Sequence, residues 1–195
     1  FNSPVVSVTA IGHKLRTHQK AVAGQDIVMT KHIGMSGIRT VISHKRDEIL
    51  NVLPEDVINK AFAADEELII AKEAQIFIKQ NIDGAMHDAS EGGIFAALWD
   101  MAEYSGTGLD IDLRHISVKQ EIIEICELFN INPYILDSMG CLLMTCENGC
   151  DIVNTMKQNG IEAAVIGKIT DGNNRIIHNT EEDLSLIHIS EPTRH

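Results

Sequence analysis

A chain of 195 residues in which 44% of the side chains are hydrophobic is long enough for one or two domains and apolar enough to bury a core. Its net charge of −12 excludes a basic surface for nucleic acid or an anionic membrane, and no stretch supplies the roughly eighteen uninterrupted apolar residues of a spanning helix. The four cysteines, Cys126, Cys141, Cys146 and Cys150, match no common zinc spacing and read as free thiols of a reducing, cytoplasmic compartment.

Residues 4–9, Pro-Val-Val-Ser-Val-Thr, predict a strand closed by Gly12, and 13–19 a polar linker with His13 and His18 in solvent. Residues 26–31 predict a second strand that runs through Gly34 and Gly37 into a helix from about Ile38. A glycine-bearing helix start exposes N–H groups with the positive end of the dipole behind them, which suits an anion. Lys31 and His32 could reach a phosphate there; a solvated strand end fits as well. From 46 to 80 the pattern is helical, with Pro54 and Glu55 opening one helix and Leu68, Ile69, Ala71, Lys72, Ile76 and Ile78 on the apolar arc of another.

Residues 85–98, Ala-Met-His-Asp-Ala-Ser-Glu-Gly-Gly-Ile-Phe-Ala-Ala-Leu, repeat the arrangement with titratable groups added. A short strand meets a helix whose apolar face is Ile94, Ala97, Leu98 and Met101, with Ser90 expected as N-cap. Gly92 and Gly93 would leave the first-turn N–H groups open to an anion, with His87 and Asp88 on the rim, and a side chain at Gly93 would block its approach. A tight capped turn whose His and Asp bond only to nearby backbone fits the same residues.

Downstream, 109–113 alternate as a half-buried strand, read as an exposed sheet edge with Asp110 and Asp112 outward rather than as a metal site. Residues 116–129 predict an amphipathic helix on Ile122, Ile123, Ile125, Cys126 and Phe129, followed by a turn through Pro133 and a strand at 141–145. A helix over 148–158 ends at Gly160, and 163–169 and 175–178 are expected to form a hairpin turned by Asp171, Gly172, Asn173 and Asn174.

Met-His-Asp-Ala-Ser-Glu-Gly-Gly resembles the His-Asp-x-(Ser/Thr)-x-Gly-Gly signature in the C-terminal domain of the aminoimidazole ribonucleotide (AIR) synthetase-related superfamily. Three weaker motifs resemble it in the same order: Ile-Gly-Met-Ser-Gly, the Asn-Pro-x-x-Leu run ending in Ser-Met-Gly, and Ile-Gly-Lys-Ile-Thr. The superfamily includes a hydrogenase maturation factor, formylglycinamidine ribonucleotide synthetase, selenophosphate synthetase and thiamine monophosphate kinase. Hydrogenase maturation factors carry Arg where this chain has Glu91 and an acid where it has Met139; Glu91 is nearer the formylglycinamidine form. The run of motifs and the 46–80 insert resemble the hydrogenase maturation factor-related group more.

The resemblance implies an α/β (α+β) fold, a mixed sheet of about six strands with helices packed on it. It implies three parts: 1–23, the end of an absent N-terminal ATP-binding domain plus linker; 24–183, the C-terminal domain; and 184–195, a tail. The tail resembles the in-frame translation of a sequencing-library adapter and is expected to pack against nothing. The chain does not start with Met and is expected to begin within a longer protein, inactive without its other half. ATP and Mg2+ would be held mainly by that half, and an amide-like oxygen of a small-molecule or carbamoyl-type substrate would be phosphorylated. His87 and Asp88 would be catalytic; Ser90, Gly92, Gly93, Gly34, Gly37 and Lys31 would hold phosphate or a substrate anion, with no metal site of the domain's own. A maturation partner protein and a homodimer of the intact protein are also implied. A non-catalytic binding or scaffold member of the fold is the alternative of a different class.

Overall fold

Alternation along the second predicted strand decides how the sheet is covered. Ile27 and Met29 point to one face and Val28 to the other, and all three are buried. The computed structural model describes residues 7–9, 11–14, 17, 19–179 and the backbone of 183–185. In chain order the elements are β1 (Asp26–Thr30), α1 (Met35–Leu50), α2 (Glu55–Ala61), α3 (Ala71–Lys79), β2 (Met86–Asp88), α4 (Gly93–Ser105) and β3 (Gly108–Asp112). There follow α5 (Gln120–Leu128), β4 (Leu142–Cys146), α6 (Gly149–Gln158), β5 (Ala163–Thr170), β6 (Arg175–His178) and β7 (Asp183–Ser185).

The strands form one mixed sheet in the order β2-β4-β1-β5-β3-β6-β7, antiparallel except for the parallel pair β3–β6. The α/β class and the mixed sheet are those expected. Helix α4 covers one face, closing a core of Ile27, Met29, Leu98, Leu109, Leu143 and Ile166. On the other face α3 and α6 pack Phe77, Ile152 and Met156 against Val28, Leu142 and Met144. A third cluster joins α1, α2 and α5 through Ile38, Ile42, Ile58, Ile122 and Ile125.

Several local expectations change. Ser7, Val8 and Thr9 are exposed and carry no strand, whereas residues 4–6 lie outside the described residues. The 163–169 and 175–178 strands form, but not as a hairpin: β3 lies between them. The same insertion makes β3 an interior strand rather than an edge, with Leu109 and Ile111 fully buried. Asp110 pairs with His178 at 2.9 Å, and Asp112 accepts from the Arg114 backbone N–H at 3.0 Å. In α3 Glu73 and Phe77 are fully buried, and Ile76 packs partly buried against the cluster that holds Phe77. The backbones of Leu184 and Ser185 pair with Ile177 and Ile176, and 186–195 lie outside the described residues.

The cysteines are free thiols, and the three buried ones fall in three different core clusters. Burial pushes the thiols of Cys126 and Cys146 up to about 11 and that of Cys141 up to about 12. At about pH 8 a chromogenic disulfide reagent should therefore titrate Cys150 alone at once, the other three only in denaturant. A second fast thiol in the native protein would show that a core cluster opens.

Candidate functional site

The signature occupies the outer end of the sheet. β2 pairs with β4 in the register Met86↔Met144, His87↔Leu143, Asp88↔Leu142, and the ladder closes where Ala89 N–H donates to Cys141 O at 3.0 Å. The chain then turns into α4 through Gly92 and Gly93, at φ 77° and 70°. Two successive left-handed residues make this turn, and only glycine adopts them without strain. Gly92, not Ser90, is consequently the N-cap of α4. The Ser90 hydroxyl points back and donates to Asp88 Oδ2 at 2.8 Å, while the Ser90 carbonyl accepts from Gly93 N–H at 3.2 Å.

The second glycine-bearing start lies alongside. Gly34, at φ 74°, caps α1. Both helix N-termini converge on residues 134–138, and that segment takes their N–H groups. Gly34 N–H donates to Ser138 Oγ at 2.8 Å, Gly37 N–H to Asp137 O at 2.9 Å, and Gly92 N–H to Asp137 Oδ1 at 3.3 Å. Ser138 N–H donates in return to Ser90 O at 3.1 Å, and Met139 N–H to Ser36 Oγ at 2.9 Å. The two helix starts thus converge, with a carboxylate of the chain itself, Asp137, at the positive end of α4. In the sequence the Asn-Pro-x-x-Leu run stands out and Asp137 does not; the acid directly after that Leu is the one signal for it.

Lys31 belongs elsewhere. Its ammonium donates to Glu67 O at 2.9 Å and Ile69 O at 2.8 Å and pairs with Glu73 at 2.6 Å, so its three protons are committed to the segment leading into α3. It is not placed to meet a phosphate. His32 Nδ1 lies 2.7 Å from Ser117 Oγ and Nε2 lies 3.3 Å from Glu162, with burial holding its pKa below the usual histidine value.

His87 and Asp88 do share an open cavity. It measures about 540 Å³ and runs along β2, between Ile70 and Ala74 beside α3 and Asp100, Met101 and Tyr104 on α4. His87 Nδ1 is 2.7 Å from Asp88 O. A carbonyl only accepts, so Nδ1 carries a hydrogen, and in the neutral ring Nε2 is the nitrogen with the lone pair. The site can therefore offer a base at His87 Nε2 and a carboxylate oriented by Ser90. Asp100 and Tyr104, four apart on the polar side of α4, were legible only as a solvated helix face. Among the described residues no group of three His, Cys, Asp or Glu side chains could hold a metal ion, and no helix is long and apolar enough to cross a membrane.

Residues 22–179 match the family described as AIR synthase related protein, C-terminal domain. A Methanocaldococcus jannaschii protein assigned to hydrogenase expression and formation is 28% identical over 123 residues, 62% of this chain and 33% of that protein. A Caenorhabditis elegans protein assigned as a phosphoribosylformylglycinamidine synthase is 26% identical over 176 residues, 85% of this chain and 12% of its own length. The carbamoyl dehydratase HypE of Azotobacter vinelandii is 27% identical over 96 residues, 47% and 28% of the two chains. The crystal structure of E. coli HypE superposes with a TM-score of 0.70 at 19% identity, covering 90% of this chain and 53% of that one. HypE in complex with ATP gives 0.63 at 16% identity, covering 86% and 51%, and the HypE–HypF complex gives 0.65 at 19%, covering 86% and 53%. These likenesses establish the fold. The chain spans about a third or less of the curated relatives' lengths and about half of the HypE chains.

Proposed function

Because the chain belongs to the AIR synthase-related family through its C-terminal domain, we propose that it forms the C-terminal part of an ATP-dependent enzyme of the hydrogenase maturation type, cytoplasmic and dimeric when intact. The observation that carries this reading is the placing of His87 and Asp88, the specific pair of the family signature, side by side in the cavity along β2. The reaction is phosphorylation of an amide-like oxygen on a small-molecule or carbamoyl-type substrate, which turns a poor leaving group into phosphate. His87 Nε2 accepts a proton from the substrate nitrogen or holds it by a hydrogen bond, and Asp88 orients it.

The described residues do not themselves fit Mg2+-ATP. They contain no cluster of metal ligands, and the N–H groups of Gly34, Gly37 and Gly92 are taken by Asp137 and Ser138. ATP and Mg2+ are accordingly assigned to the part of the protein outside this chain. Phosphate contact at Gly92 and Gly93 would require Asp137 to leave the α4 N-terminus. Support for ATP and for a maturation partner protein comes from the relatives: similar structures include HypE with ATP and HypE with HypF.

In the intact protein His87→Ala and Asp88→Asn should each abolish ATP-dependent turnover while changing stability by no more than about 1–2 kcal/mol, the usual cost of a lost hydrogen bond. Steady-state phosphate release beside thermal melting checks this. Full turnover in both variants would leave the signature structural and favour a scaffold member. The second reading is a formylglycinamidine ribonucleotide synthetase-like enzyme, favoured by Glu91 and by the 85% of this chain that the nematode relative covers. Substrate-dependent ATP hydrolysis with formylglycinamide ribonucleotide, but not with a carbamoylated thiol, would select it.

A further inference from the structure

Among the described residues β2 is the terminal strand of the sheet on its side. Its main-chain groups divide by register. Thr145 N–H donates to Ala85 O and Ala89 N–H to Cys141 O, both at 3.0 Å, and His87 pairs with Leu143. The two-residue period then turns Met86 N–H, Met86 C=O and Asp88 N–H to the outer edge, into the cavity. The cavity is thus a groove with a strand edge as its floor.

Its two walls differ in chemistry. Toward α3 lie Ile70, Ala74 and Leu142, all apolar; toward α4 lie Asp100 and Tyr104, both exposed. Among the described residues no lysine or arginine lines it. Lys20, from the segment entering the domain, places its ammonium 5.4 Å from the centre of the Tyr104 ring, so that wall already accommodates a cation. A strand laid along β2 would send successive side chains alternately to the two walls.

We propose that this groove docks an extended segment of a partner protein in which apolar and basic residues alternate. The segment adds to the sheet beside β2 over about three residues, roughly 10 Å at strand rise. Main-chain bonds to Met86 and Asp88 hold it. Apolar side chains fill the α3 wall, and basic ones meet Asp100 and Tyr104 on the α4 wall. The groove shares His87 and Asp88 with the reaction proposed above but does not depend on it, because docking is measured without nucleotide or turnover.

The test is fluorescence anisotropy with the 195-residue chain and a labelled Lys-Val-Lys-Val-Lys peptide. Saturable binding is expected, and none with Glu-Val-Glu-Val-Glu. N-methylation of the backbone amide that faces β2 should weaken binding about tenfold, through loss of one hydrogen bond and the clash of the methyl group. Asp100→Asn, at an exposed position that leaves the core intact, should weaken it about threefold, the worth of one surface ion pair. Absence of saturable binding, equal binding of the acidic peptide, or indifference to N-methylation would overturn the proposal. So would a dimer of the chain that the peptide does not displace, which would give the groove to a second copy.

Discussion

Replacing Gly93 with valine should strongly destabilise the domain rather than merely empty a binding site. Gly93 has φ 70°, a conformation that costs a β-branched residue about 1–2 kcal/mol. A Cβ there would also lie 2.5 Å from Tyr134 O and 2.8 Å from Ile135 C and Leu136 O, all backbone atoms of the segment gripped between the two helix starts. Overpacking adds about 1–3 kcal/mol, so the expected loss is roughly 2–5 kcal/mol, whose upper end is among the largest that single substitutions produce. Chemical denaturation would read it directly. The expectation that a side chain at Gly93 simply blocks anion approach gives way to this packing reason. A valine variant with unchanged stability and weakened ligand binding would restore it.

The second large effect belongs to Lys31. Glu73 is 1% exposed, and Lys31, with a side chain 17% exposed, is its ion-pair partner. Among the described residues Glu73 Oε2 has no hydrogen-bond partner, so the pair rests on the single contact from Oε1. Lys31→Met should strand a buried carboxylate and release the carbonyls of Glu67 and Ile69, costing about 3–5 kcal/mol. Adding Glu73→Leu should recover much of the loss, because removing both charges removes the desolvation cost that one alone leaves behind. A double-mutant cycle in urea measures the coupling. Amide exchange over 65–79 should quicken in the single variant, since Lys31 is what fastens this wall of the groove. A cost below about 1 kcal/mol would mean that the carboxylate reaches water and the pair is a surface one.

The two substitutions mark how far the residue pattern reaches. His87, Asp88 and the glycine pair were legible because a strand end, a turn and a helix start are local events, and the structure puts His87 and Asp88 together in one cavity. What the glycines do was not legible. Free N–H groups at a helix start look the same in sequence whether a ligand or another loop takes them, and here residues 134–138, more than forty positions after Gly92, take them. Lys31 shows the same limit. A lysine at a strand end reads as solvated or phosphate-directed, and only the approach of residues 67–73 makes it a structural cation.

By itself, the sequence determined the elements whose causes are local: the strand β1, the alternation in β3, the apolar faces of α4 and α5, and the strand–glycine–helix starts at 34–37 and 92–93. Tertiary structure alone decided which strands are neighbours. A turn at 171–174 signals a reversal but not a partner, and β3 enters between β5 and β6 because Leu109 and Ile111 must be buried from that position. It also decided that, among the described residues, β2 ends the sheet, with its outer edge between α3 and α4. Strand order depends on long-range pairing, which no local period encodes, and the groove exists only because that order leaves β2 outermost.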